Sequence, residues 1–286
     1  MARPAPAIDR TVAVLNHLAA SPTRQFTLSE LARELDLNKA TAHGMLTTLA
    51  EAGYLTRDPE AKTYGLGPSL IALGNAALES TPAVRLAQPQ MAALSREFDL
   101  ECVASAAIAD EIVILARAGT PRPLGINVEP GQRLPLAPPL GTVFVAFSGG
   151  EAIDRWLSHV GPEQSPADLD RYRQALATVR ERGYSVALGG EGQQRLVKAL
   201  QDAGHEPTGS RGGEEYALVE LAGDSRYRIN HIGAPVFGSR GEVVLALFLI
   251  GFRGQIAAEE VPRYADRLLE AADAVTLALR GRHPAA

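Results

Sequence analysis

Between Thr27 and Gly67 the apolar positions first recur at helical spacing and then alternate. Leu28, Leu31, Ala32 and Leu35 fall at i, i+3, i+4 and i+7, the stripe of a short amphipathic helix. Thr27 and Glu30 stand as a Thr-x-x-Glu capping box at its start. Asp36-Leu37-Asn38 interrupts the stripe, and Asn38 is placed to cap a second helix. There Ala42, Met45, Leu46 and Leu49 form the inward face, while Lys39, Ala40, His43, Gly44 and Thr47 share the outward one. Gly53 ends that helix. Tyr54–Arg57 and Thr63–Leu66 flank an Asp-Pro turn as the arms of a hairpin. Helix, tight turn, helix and hairpin is the plan of a winged helix-turn-helix, whose second helix enters the DNA major groove.

The rest of the chain has a different rhythm. Ile8, Val12, Leu15 and Ala19 predict a helix packed behind the first two, closed by Ser21-Pro22-Thr23. Pro68 opens a helix running to about Ser80, and Thr81-Pro82 is a joint, because proline disfavours helix in the residue before it. A helix over about 83–98 follows. From Glu101 the period becomes that of strands: 102–109 and 111–117 pair around Asp110, and 124–128 forms a third. Residues 129–140 read as a proline- and glycine-rich loop, followed by helices from Val143 to Gly149-Gly150, over 151–159 and over 167–182. A strand at 184–188, a short helix at 193–203 and a surface loop at 204–215 come next. Strands at 229–237 and 242–251 precede a last helix built on Val261, Ala265, Leu268, Ala272, Val275 and Leu279. Strands in the middle with helices at either end predict an antiparallel α+β domain. The expected division is 1–67, a linker helix at 68–81, and 82–286.

Composition narrows the function classes. The 286 residues hold 28 basic and 33 acidic side chains, and residues 1–80 carry 7 and 8. A reader of DNA in this first part therefore depends on local cations: Arg3, Arg10, Lys39, Arg57 and Lys62. The longest apolar run, Val243 to Phe252, suits a buried strand and is too short to span a bilayer. The first ten residues lack the apolar segment of a secretory signal, and one cysteine, Cys102, excludes an internal disulfide. Both predict a cytoplasmic protein without membrane partners. Gly189-Gly190-Glu191-Gly192 lacks the strand-turn-helix context of a dinucleotide fingerprint. The six histidines never fall at zinc-ligand spacing, although His205 and His231 can converge with Glu191 or Glu214. The expectation is neither enzyme nor metalloprotein, with no cofactor.

LSELARELDLNKATAHGMLTTLAEAGYL, the wing RDPEAKTYGLGPSL, and then GQRLPL, LGTVFVAF, RERGY, IGAPVF and GEVV stand in an order that resembles the IclR family of bacterial transcriptional regulators. The resemblance implies a winged helix-turn-helix, a dimerising linker helix and a GAF-like α/β effector-binding domain with an antiparallel sheet. It also implies a homodimer or dimer of dimers on a palindromic double-stranded DNA operator, acting as a repressor more often than an activator. Carried onto this chain, the DNA-binding positions are Lys39, Ala40, Thr41, His43, Gly44, Thr47, Arg57 and Lys62. The effector positions are Leu136, Ala137, Pro138, Pro139, Leu140, Gly141, Leu188, His231, Phe248 and Ile250.

Several positions depart from the family pattern. Gly44 and Gly65 stand where arginines are common, and Ala40 where serine is. The loop after Leu136 has two prolines without N–H groups, His231 replaces a cysteine, and Phe248 and Ile250 replace serines. A small carboxylate would lose hydrogen bonds there, so the expectation is an apolar or bulky effector; the alternative is a pocket that has filled in. From another class, the chain reads as a ligand-binding or assembly protein whose helix-turn-helix no longer reads DNA.

Overall fold

The computed structural model describes residues 5–19, 21–120, 128–160, 166–189 and 223–284, in two compact units, Met1–Thr81 and Pro82–Ala286. The expected strand at 124–128 (save Val128), the helix at 193–203, the loop at 204–215, and Glu191, His205 and Glu214 lie outside the described residues.

The first unit begins with α1 (Pro6–Ala19), β1 (Phe26–Thr27), α2 (Leu28–Glu34) and α3 (Lys39–Glu51). It continues with β2 (Leu55–Asp58), β3 (Thr63–Leu66) and α4 (Ser69–Glu79). The capping box is formed in full: the Thr27 N–H donates to Glu30 Oε2 at 2.7 Å, and the Glu30 N–H donates to Thr27 Oγ1 at 3.3 Å. The Thr27 N–H, and after it the Thr27 hydroxyl, donate to Glu30 Oε2 and hold that carboxyl below its ordinary pKa. Asn38 Oδ1 caps α3 by accepting from the Ala40 N–H at 2.9 Å. Gly53, at φ +75°, ends α3 in the left-handed conformation that glycine adopts without strain. Asp58 Oδ1 accepts from the N–H groups of Glu60 and Ala61 and so closes the hairpin.

The hairpin is the larger part of a three-stranded sheet in the order β1-β3-β2. Two residues of β1 are too few to show a period, so this strand is invisible in the sequence pattern. Val14, Leu18, Phe26, Leu31, Leu46, Leu55 and Tyr64 bury the core between helices and sheet. Nothing on α4 is buried.

In the second unit α5 (Pro82–Phe98) precedes β4 (Glu101–Ile108), β5 (Glu111–Ala118) and β6 (Arg133–Pro135). Helices α6 (Thr142–Val145), α7 (Gly150–Ser158) and α8 (Pro166–Arg182) follow, then β7 (Ser185–Leu188). The chain resumes with β8 (Arg226–Tyr227), β9 (Ile229–Phe237), β10 (Val243–Ile250), β11 (Ile256–Ala257) and α9 (Val261–Ala278). Six strands form one antiparallel sheet in the order β6-β5-β4-β10-β9-β7. The expected loop at 129–140 thus contains an edge strand, a place where Pro135 withholds no needed ladder bond. Helix α6 is a single turn, because Gly149 is extended and starts α7 afresh.

Alternation divides the sheet chemically. Cys102, Ala104, Ile232, Ala234, Val236, Leu245, Leu247 and Leu249 pack with α5 and α9. Cys102 lies in that core, and burial pushes its thiol up to about 12, so it is a packing residue and no nucleophile. The opposite face is only partly covered, by α6 and the loop before it.

Leu46, with no exposed surface, sits where α3 meets the core of the first unit. Leu46→Ala should cost about 2–5 kcal/mol in urea-unfolding experiments followed by circular dichroism.

Candidate functional site

On α3, Lys39, Ala40, Thr41, His43 and Gly44 are exposed and Thr47 is half-buried. Ala42 and Leu46 face the other way, into the core. Arg57 on β2 and Lys62 in the turn are also exposed, with the Arg57 guanidinium 5.8 Å above the Tyr64 ring. The cations of this unit fall into two groups. Arg24 and Arg33 pair with Glu30 and Glu34 beside the capping box. Arg10 on α1, and Lys39, Arg57 and Lys62, are in no ion pair among the described residues, which leaves their charge available to an external anion; Arg3 lies outside the described residues. A Cβ added at Gly44 meets nothing within 4 Å, so this position is open to solvent.

The second candidate lies on the partly covered sheet face. The strand registers set Glu101, Ile250, His231 and Ala187 in one row, and Val103, Phe248, Gly233 and Ser185 in the next. Ser105 and Ala246 begin a third. A Cβ on Gly233 would stand 2.5 Å from Phe248 Cε1 and 2.8 Å from Ser185 Oγ. Glycine is therefore required there for the Phe248 ring to lie over β9. Above these rows is a cavity of about 350 Å³, within the range of small-molecule sites. Pro139, Leu140, Gly141, Thr142 and Val143 cover it from the loop and α6, and Ile112 and Ile114 line it from β5. The loop is pinned from behind by the buried Trp156 Nε1–H, which donates to the Leu140 carbonyl at 2.7 Å.

Six of the ten expected effector positions meet in this cavity: Pro139, Leu140, Gly141, His231, Phe248 and Ile250. The other four stand elsewhere. Leu136 packs between the clusters of α6 and α7 and lines a separate groove of about 810 Å³, whose rim carries Arg155, Arg240, Glu242 and Arg282. Ala137 and Pro138 do not reach the cavity. Leu188 is displaced by a register shift after Ala187, and Ala187 takes the lining position instead.

The sequence reading missed the cavity's polar members: Glu101, Ser105, Gln132, Thr142, Ser185, Arg228 and Asn230. The alternation of Glu101, Val103 and Ser105 was the available signal. Glu101 is 3 % exposed and its Oε2 stands 4.0 Å from Arg117 Nη1, which donates to Glu129 Oε1 at 2.9 Å. Burial pushes His231 down to about 4, so its imidazole is neutral at pH 7 and stacks edge-on against Phe248 at 5.2 Å. The Leu140 N–H is used by the Ala137 carbonyl at 2.8 Å.

The comparisons match the winged helix-turn-helix unit to one family and the fold of nearly the whole chain to solved regulators. The family described as the IclR helix-turn-helix domain matches residues 7–59. The glycerol operon regulatory protein of Streptomyces griseus is 40% identical over 79 residues, 28% of this chain and 31% of that one. The match thus spans about a third of that relative's length. The Pca regulon regulatory protein of Pseudomonas putida is 28% identical over 244 residues, 83% of this chain and 72% of that one. The crystal structure of an IclR transcriptional regulator from Alicyclobacillus acidocaldarius superposes with a TM-score of 0.74 at 25% identity, covering 98% of this chain and 100% of that one. Residues 7–59 thus match the IclR helix-turn-helix domain, and over most of its length the chain is similar to proteins named as transcriptional regulators.

Trp156→Phe removes the donor to the Leu140 carbonyl and leaves that acceptor unpaired. A loss of about 1–3 kcal/mol in thermal or urea unfolding is expected.

Proposed function

We propose that this chain is a DNA-binding transcriptional regulator, a repressor rather than an activator on the family resemblance, whose second unit senses a small molecule. The observation that carries this reading is the pair of surfaces just described. One is an exposed α3 face and wing whose cations Lys39, Arg57 and Lys62 have no acidic partner among the described residues; the other is a ligand-sized cavity. Lys39 and the wing cations contact phosphates, which position the protein without specifying sequence. Thr41, His43 and Thr47 face base edges, with Ala40 and Gly44 allowing close approach. The effector is a compact, largely apolar molecule held over Val103, Phe248 and Ile250. It acts by differential affinity for two arrangements of the reading heads.

The active species is a homodimer, or a dimer of dimers, on a palindromic operator. Support comes from α4, where Ile71 is 67 % exposed and Leu73 56 %. A helix with this much exposed apolar surface and no buried residue is an interface in want of a partner. The net-acidic first unit makes pairing the more important, because a single head has few phosphate contacts to offer.

A gel-shift against the DNA upstream of its own gene tests the reading. Salt-sensitive, sequence-selective retardation is the expected result; no retardation at low salt favours a helix-turn-helix that no longer reads DNA. Lys39→Ala should lower the slope of log affinity against log salt by about 1. Gly44→Arg has room for its side chain and replaces a helix-weakening glycine, so operator affinity should rise about threefold or more. Leu73→Glu should shift the protein towards monomer in sedimentation experiments.

A further inference from the structure

We infer that α3 reads its operator through the 5-methyl groups of thymine, met by the methyls of Ala40, Thr41, Thr47 and Thr48, rather than through bidentate hydrogen bonds to purines. This rests on the DNA-binding reading above and gives that reading a chemistry.

A helix turns about 100° per residue, so the buried Ala42 and Leu46 fix the inward direction of α3. Ala40, Thr41, Gly44, Thr47, Thr48 and Glu51 then fall within about 60° of the outward direction, while Lys39 and His43 stand on one flank. Thr47 is half-buried and the other five outward residues are exposed. Ala40 carries nothing beyond its Cβ, and a Cβ added at Gly44 would meet nothing within 4 Å, so this face admits close approach to base edges. Glu51, the last residue of α3, repels phosphates and confines that approach to residues 40–48. Lys39, Arg57 and Lys62, in no ion pair among the described residues, supply the attraction that does not depend on sequence.

What the outward row lacks decides how it reads. The major groove distinguishes bases by their donors and acceptors and by the thymine methyl. Arginine on guanine, and asparagine or glutamine on adenine, are the strong bidentate pairings, and Lys39–Glu51 contains none of the three. Asn38 stands just before the helix, but its Oδ1 is taken by the Ala40 N–H at 2.9 Å. A threonine hydroxyl bonds to donors and acceptors alike and so discriminates little. That of Thr48 is spent on the Gly44 carbonyl at 3.0 Å, which leaves its methyl as the group it presents. The outward face is thus a row of methyls, and thymine alone offers an apolar group in the groove to meet it.

The test is a competition gel-shift of the full chain on the DNA upstream of its own gene, against unrelated DNA. The fragment is prepared with thymine, with uracil in its place, or with 7-deazaguanine in place of guanine. Uracil lacks only the 5-methyl, and 7-deazaguanine lacks the N7 that a bidentate guanine contact needs. The uracil fragment should bind at least about fourfold more weakly, the worth of one buried methyl, and should lose more than the 7-deazaguanine fragment. The double variant Thr41→Ser/Thr48→Ser keeps both hydroxyls and removes two methyls. It should weaken binding to thymine DNA by about fourfold or more and narrow the gap between thymine and uracil DNA; thermal unfolding checks that it folds. A uracil loss below about fourfold, a larger loss from 7-deazaguanine, or an unchanged gap in the folded variant overturns the inference and leaves the DNA-binding reading in place. No retardation of any fragment at low salt overturns both.

Discussion

Everything in the second unit depends on the two-residue period of its central strands. On β4, β9 and β10, alternate side chains are aliphatic and seal one sheet face against α5 and α9. Burying a row of Leu, Ile and Val stabilises by about 1.5–3 kcal/mol per large side chain, which anchors the register against slippage. A one-residue slip would bring Glu101 and His231 into that core. The seal on one face is therefore what delivers Glu101, Val103, Ser105, His231, Phe248 and Ile250 together to the other.

The first unit solves a different problem with the same economy of parts. Its helices are short, so caps and core fix them more than helix propensity does. Thr27 with Glu30 and Asn38 with Ala40 satisfy the orphan N–H groups at the starts of α2 and α3. Leu31, Ala42 and Leu46 then orient α3 so that Lys39, Thr41 and His43 remain outside. Acidic side chains pair with Arg24 and Arg33 near the caps, while Arg10 on α1 and the cations of α3 and the wing are in no ion pair among the described residues. That distribution is why a net-acidic unit can still present a surface to phosphates.

The departures from the family pattern also acquire physical content. Phe248 occupies space that a side chain at residue 233 would fill, so Phe248 and Gly233 are a matched pair. Neutral His231, packed on Phe248, extends the apolar floor rather than holding charge. Polarity enters from Ser105, Ser185, Asn230 and Glu101, at positions that the loop-centred reading of the sequence passed over.

The order of helices and strands was legible from sequence, because helical and strand periods, caps and prolines act over a few residues. Residues 6–19, 28–34, 39–51 and 229–237 are examples, and so is the exposed set on α3. Strands β1, β6, β8 and β11 were not legible, since two or three residues carry no period and form only where a partner strand offers its edge. The cavity was half legible: Pro139, Leu140, Gly141, His231, Phe248 and Ile250 converge on it, while Leu136 and Leu188 do not. Sequence alone determined which side chains alternate along each strand. Only tertiary structure decided which of the two faces α5 and α9 would cover, and hence that Glu101 and Ser105, distant from the loop in sequence, would stand beneath it.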